Sequence, residues 1–215
     1  MREPSQARSR VIEPLAPERV ELMREHLVMG GRTGDAALVS VLAYAGLRPG
    51  EALALTWGDV RDRTIMVSKC ASLGRVVADA KSSPRSVRAV TMLAALRGDL
   101  LEWQLLNGRP TPRTLVFPAR SGAVWSEFDY RNWRQRSFAP AAAAAGVLGI
   151  RPYDLRHSFA SLLLAQGRSV IDVADQLGHA PTLTLDTYGH VMRELEGRSV
   201  GPDQAIAAAR RLRTA

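Results

Sequence analysis

Five residues in this chain have side chains suited to phosphate chemistry. Tyr188 lies in Asp186-Thr187-Tyr188-Gly189-His190-Val191, His179 closes the run Leu177-Gly178-His179, and Arg48, Lys81 and Arg156 come earlier. A guanidinium fork binds two phosphate oxygens at once, so Arg48 and Arg156 together suit a phosphorane whose charge is neutralised without metal. Arg156 falls in the first turn of an expected helix with Asp154 as its N-cap and Leu155, Phe159, Leu162 and Leu163 as its apolar face. A cation is mildly disfavoured at that positive helix end. The placement makes sense when the arginine and the free backbone N–H groups share an anion. Arg48 stands in the same way before its own helix, where Pro49 suits the first helical position. The competing reading is structural, with Arg48 paired to Glu51 and Arg156 to Asp154.

Tyr188 is the candidate nucleophile. A phenol has an ordinary pKa near 10, so at neutral pH it needs a base or a strongly cationic pocket. The two arginines, Lys81 and His179 are placed to supply the pocket. His179 follows a helix stop at Gly178, so its ring is expected to project from a loop. His157, beside Arg156 on the other side of the helical turn, reads as structural. The 29 basic residues include only two lysines, Lys69 and Lys81. A lysine kept in so arginine-rich a chain points to a need that arginine cannot meet, and lysine can give up its proton. The four histidines and the single cysteine, Cys70, have no metal-ligand spacing, so no metal or other cofactor is expected. Cys70 reads as a small buried hydrophobe in a strand.

The elements that must hold these residues are mostly helical. Residues 1–16 are polar, carry Pro4 and Pro14, and read as a tail or linker. A helix runs from Pro17 to about Leu27 and stops at Gly30-Gly31; a second, apolar one runs from Asp35 to Ala45, with Gly46 as its stop. A short third helix follows Arg48 and ends near Thr56. Between Arg63 and Thr91 the pattern changes to β-branched alternation at Thr64–Val67, Arg75–Val77 and Ser86–Val90, which predicts a small antiparallel three-stranded sheet with Lys81 at a hairpin. Helical pattern returns over Leu93–Leu106. From Ser126 another helix carries Arg131, Arg134 and Arg136 up to Ala141–Ala145 and Gly146. Shorter helices follow, with caps at Asp154, Gly167 and Gly178. Beyond Tyr188, Arg193–Ser199 reads as a polar tether and Pro202-Asp203 as the start of a helix with an Ile206, Ala209, Leu212 stripe.

The chain has 215 residues and is 46% hydrophobic, enough for one packed domain, with no apolar run of the roughly 20 residues a membrane span needs. The N-terminus lacks the apolar core of a secretory signal, and one cysteine excludes an internal disulfide framework, which suits a soluble protein of the reducing cytoplasm. The formal charge of +8 favours a polyanionic partner. The abundance of arginine and alanine also reflects a compositional bias of the whole chain.

In Ala43-Tyr44-Ala45-Gly46-Leu47-Arg48-Pro49-Gly50-Glu51-Ala52-Leu53, in Asp154-Leu155-Arg156-His157-Ser158-Phe159-Ala160 and in the Leu-Gly-His…Tyr run, the chain resembles the tyrosine recombinases, meaning phage integrases and their relatives. The resemblance spans residues 12–192. It implies a catalytic domain over 17–192, with residues 193–215 as a tether and helix docking on a neighbouring subunit, and the fold of the DNA breaking-rejoining enzymes. It implies cleavage and rejoining of double-stranded DNA by Tyr188 through a 3′-phosphotyrosyl link, with Arg48, Arg156 and His179 on the phosphate and Lys81 as general acid. Such proteins are implied to be monomers when free and tetramers on DNA. Relatives usually carry an N-terminal helical domain that completes a clamp around DNA, and none is expected within these 215 residues. Tyr153 departs from the pattern, because most relatives have histidine three residues before the second arginine. A phenol is a poor base at neutral pH, so Tyr153 is expected only to donate a hydrogen bond to phosphate. Arg131, Arg134 and Arg136 are the candidates for contacts to the DNA backbone. Two other readings use the same residues, a type IB topoisomerase and a DNA-binding protein that has lost catalysis.

Overall fold

The computed structural model describes residues 14–72, 74–78 and 87–196. Helices α1 (Pro17–Met29), α2 (Thr33–Tyr44) and α3 (Pro49–Leu53) come first. Four strands follow, β1 (Thr64–Val67), β2 (Lys69–Ser72), β3 (Arg75–Ala78) and β4 (Arg88–Thr91). The chain then continues through α4 (Ala94–Leu106), α5 (Glu127–Trp133), α6 (Ala139–Ala144), α7 (Asp154–Ala165), α8 (Val170–Leu177) and α9 (Pro181–Glu196).

The mainly helical fold with a small antiparallel β portion is as the sequence predicts, but the strands divide differently. β1 pairs with β4 and β2 pairs with β3, giving two separate two-stranded ladders among the described residues where a three-stranded sheet was expected. The break falls at Ser68, after which the chain runs against α3. A side chain at Gly50 would meet Cys70 Sγ at 2.7 Å and the Ala71 carbonyl at 2.9 Å, so glycine lets β2 lie directly on the α3 backbone. Cys70 is consequently half-buried in β2, not the fully buried hydrophobe expected.

Helix α2 is the centre of the core. Every residue from Ala36 to Tyr44 is buried, and the helix packs against α1, α4 and α7. That burial all round explains why it reads as continuously apolar and not as an amphipathic stripe. The long helix expected from Ser126 forms as predicted at its start, where the Ser126 hydroxyl accepts from Asp129 N and Asp129 reaches back to Ser126 N. It passes through a wide π turn over Arg134–Phe138 before α6. Gly146, at φ 70°, ends this run. A second cluster, Phe159, Ala160, Leu163, Leu164, Val173, Leu177 and Tyr188, ties α7, α8 and α9 together beside the main core.

Candidate active site

Arg156 sits 1% exposed in the first turn of α7. Tyr153, rather than the expected Asp154, is the N-cap of that helix. Asp154 is the first helical residue, and its carboxylate accepts from Arg151 N at 2.8 Å and pairs with the Arg151 guanidinium at 2.9 Å. The expected alternative pairing of Arg156 with Asp154 is therefore replaced by one with Arg151. Arg156 instead donates to the carbonyls of Gly46 and Leu177 and to His179 Nε2, the last at 2.9 Å. Its Nε has no hydrogen-bond partner among the described residues.

These contacts explain the two glycines. Gly46 has φ 61°, and a Cβ there would collide with the Phe159 ring, so only glycine brings the turn after α2 close enough for its carbonyl to meet Arg156. Gly178 has φ 67° and ends α8, with His179 N donating to the Ala174 carbonyl. That cap turns the Leu177 carbonyl and the His179 ring toward the guanidinium. His179 is half-buried in the α8–α9 turn, more enclosed than the projecting loop residue expected.

Glu51 joins the arginines and went unnoticed in the sequence except as a partner for Arg48. It is 1% exposed and accepts from Arg48 N at 2.8 Å and from the Arg48 guanidinium at 2.7 Å. Arg88 of β4 meets the same carboxylate through two nitrogens at 3.0 and 2.9 Å, and Arg156 Nη1 lies 4.0 Å from it. Burial acts most strongly on Glu51 and raises its pKa, but the Arg88 hydrogen bonds and charge, with Arg48 and Arg156, outweigh it and hold the carboxyl below its ordinary value. Arg48 is thus both an ion-pair partner and a partly open cation, its side chain 35% exposed.

The charge state of the site follows from its burial. Burial first, then the charges of Arg48 and Arg88 against that of Glu51, lower Arg156 to about 10, still cationic at neutral pH. Burial and then Arg156, Arg48 and Arg88 lower His179 to about 4. His179 is therefore neutral, which fits Arg156 donating to its Nε2, and it adds no positive charge to the pocket. Tyr188 is 2% exposed on α9. Burial raises its pKa more than Arg156 lowers it, so the cationic pocket expected to acidify the phenol does not do so here.

His157, expected to be structural, is the residue in contact with the Tyr188 hydroxyl: His157 Nδ1 and Tyr188 Oη are 2.7 Å apart. Its ring also meets Tyr153 edge-on at 5.5 Å between centroids. A helical signal for this was present in the sequence, since residues 153 and 157 are one turn apart and share a face. Arg131, Arg134 and Arg136 are exposed on the α5 and π segment. Arg131 stacks over Phe128 and Arg134 over Tyr130, and among the described residues no hydrogen bond or ion pair joins the three to Arg48, Arg156 or His179. Lys81 lies outside the described residues, as does the chain beyond Glu196. Arg193–Glu196 continue α9, where a tether was expected.

An arginine anchored between two helix ends, a neutral histidine on its guanidinium and a tyrosine on the adjoining helix bring together segments far apart in sequence, and that whole span is characteristic of one family. Residues 16–194 match the model of the phage integrase family, and the chain belongs to it. It is similar to tyrosine recombinase XerD of Pseudomonas putida, 32% identical over 162 residues that cover 74% of this chain and 50% of that protein. Tyrosine recombinase XerC of Bifidobacterium longum is 30% identical over 190 residues, covering 83% of this chain and 49% of that protein. The chain thus spans about half the length of these curated relatives. Among solved structures, the Tn1549 transposon integrase in complex with transposon right end DNA shares the fold, with a TM-score of 0.69 at 19% identity over 95% of this chain and 67% of that one. No helix among the described residues is long and apolar enough to cross a membrane.

Proposed function

We propose that this chain is the catalytic domain, over residues 17–192, of a site-specific recombinase that cuts and rejoins double-stranded DNA. The observation that carries the reading is the Arg156 guanidinium, held by two carbonyls and His179 with Arg48 beside it, next to a tyrosine hydroxyl on α9. Family membership and the DNA bound by the Tn1549 integrase support the same partner here. Arg48, Arg156 and His179 bind the scissile phosphate, and the buried Arg156 Nε, unpartnered among the described residues, is a donor that a phosphate oxygen satisfies. Tyr188 Oη attacks phosphorus, the bond to the 5′-oxygen breaks, and Lys81 returns a proton to that oxygen. The product is a 3′-phosphotyrosyl link and a free 5′-hydroxyl. The link keeps the phosphodiester energy, so rejoining requires no nucleotide. Tyr153 donates a hydrogen bond to the phosphate, and Arg131, Arg134 and Arg136 contact the DNA backbone. The protein works in the cytoplasm, monomeric when free and tetrameric on DNA.

The test is covalent capture. The chain is mixed with a pool of nicked duplexes carrying a randomised core, and SDS-resistant adducts are recovered and sequenced. Wild type is expected to yield adducts enriched for one sequence. Tyr188→Phe is expected to yield none while binding the enriched duplex within about twofold of wild type, because one hydroxyl contributes little to a charge-dominated interface. Adduct persisting in Tyr188→Phe would exclude it as nucleophile. Adducts without sequence enrichment, together with relaxation of supercoiled plasmid, would favour the topoisomerase reading.

A further inference from the structure

A tyrosine that attacks phosphorus has to lose its proton, and the groups around Tyr188 differ sharply in their ability to take it. His179 Nε2 already accepts from Arg156. The Glu51 carboxylate is occupied by Arg48 and Arg88, and that of Asp154 by Arg151. Tyr153 carries a hydroxyl in place of an imidazole. His157 Nδ1, in contrast, lies 2.7 Å from Tyr188 Oη, within the reach a general base requires.

We propose that His157 is a catalytic residue, the base that accepts the Tyr188 proton, doing the work for which Tyr153 is unsuited. This assignment rests on the cleavage reaction proposed above. As the Oη–phosphorus bond forms and the bond from phosphorus to the 5′-oxygen breaks, the phenolic proton passes to Nδ1 and Lys81 protonates the leaving oxygen. In rejoining, the imidazolium returns the proton to Oη as the tyrosine leaves.

Three features fit this role. His157 is 8% exposed, and its pKa is lowered, by burial first and then by Arg156 and Arg151 against the opposing Asp154. Neutral imidazole therefore prevails at neutral pH, with one nitrogen free to accept. The charged and titratable groups around it are Tyr153, Asp154 and Arg156 on its own helix, Arg151 before it, His179 in the α8–α9 turn and Tyr188 on α9. The raised pKa of Tyr188 means that the phenol keeps its proton until attack, so an acceptor in contact is what the reaction lacks otherwise. Finally, His157 follows Arg156 directly on α7, so the phosphate ligand and the proton acceptor are set by one rigid element.

The experiment uses the full chain and a duplex enriched by the capture above, in single-turnover cleavage. Both the ordinary substrate and one with sulfur in place of the bridging 5′-oxygen are needed, because sulfur leaves without a proton and rescues only a lost acid. His157→Ala is expected to cleave about 100-fold more slowly on both substrates, with melting and DNA affinity near wild type, whereas Lys81→Ala is rescued by sulfur. His157→Asn, which can hydrogen-bond Oη but cannot take the proton, is expected to be as slow as His157→Ala. Cleavage by His157→Ala at or above the wild-type rate would show the contact to be a resting latch and overturn the proposal. Full activity in His157→Asn, or rescue of His157→Ala by sulfur, would overturn it as well. A measurement free of DNA adds a further arm. Nitrogen-15 NMR is expected to find His157 Nδ1 unprotonated and shifted in Tyr188→Phe, and a protonated Nδ1 donating to Oη would overturn the proposal. If wild type forms no adduct with any duplex, the recombinase reading itself fails and takes this assignment with it. An active wild type with an equally active His157→Ala fails only the assignment.

Discussion

At the residue scale, the site binds its cations through geometry and keeps its histidines neutral through burial, which gives it a pH signature apart from any catalysis. His179 has an ordinary value of 6.5 and is lowered to about 4 in the folded chain. Above pH 6.5 neither state takes the proton, and the residue contributes no slope. Between about 6.5 and 4 the unfolded chain binds a proton that the folded chain refuses, so stability falls as pH falls. His157 shifts in the same direction and adds to the slope, while Asp35 and Asp99, both raised mainly by burial, act against it nearer the carboxylate range. Urea unfolding of His179→Gln, followed from about pH 7 to pH 4.5, is expected to lose stability less steeply than wild type. Equal slopes in the two proteins would mean that folding leaves His179 unshifted, and Arg156 would then lose this one of its three acceptors as the pH falls.

At the scale of elements, Glu51 and Arg88 are the junction. Glu51 comes from α3 and Arg88 from β4, and Arg88 Nε donates to the Gln176 carbonyl of α8 at 2.8 Å. One carboxylate thus fixes a helix, a strand and a second helix around the arginines of the site. Removing its charge takes from two buried guanidinium groups, Arg88 and Arg156, the carboxylate they share. Glu51→Gln is therefore expected to cost about 3–5 kcal/mol, the range for breaking a buried ion pair. Replacing Glu51 and Arg88 together by apolar residues of similar size is expected to cost less than Glu51→Gln alone, by comparison of denaturant midpoints. A loss under about 1 kcal/mol for Glu51→Gln would mean that water reaches the junction. The helices were legible in the sequence because their signals are local: Pro17, Ser126 and Gly178 mark ends that the structure puts where expected. The division into two ladders was not, since pairing partners are chosen by contacts between distant segments. The same reason hid Glu51–Arg88, 37 residues apart, and His157–Tyr188, 31 apart. Arg48, Arg156, His179 and Tyr188 were named because each stands in a short motif; what their neighbours do to them depends on burial, which a motif does not carry.

At the scale of the molecule, the described fold gathers its reactive groups at the junction of α3, α7, α8 and α9, and α9 leads from Tyr188 into the segment beyond Glu196. Residues 200–215 lie outside the described residues, but their sequence has its own logic. Pro202-Asp203 suits a helix start, and Ile206, Ala209 and Leu212 fall three apart along one side. A helix of about ten residues is marginal alone and needs a surface that buries such a stripe. If that surface belongs to a neighbouring copy on DNA, the segment couples assembly to Tyr188, midway along α9. Deleting residues 200–215 is then expected to leave binding to a single recognition site nearly unchanged, because the +8 chain keeps most of its basic surface for the phosphates. Cooperative occupation of paired sites is expected to weaken, read as a loss of the slowest-migrating complex in a gel-shift titration. Equal cooperativity in the full and shortened chains would place the segment on its own domain, and the link between assembly and Tyr188 would have to run through another face.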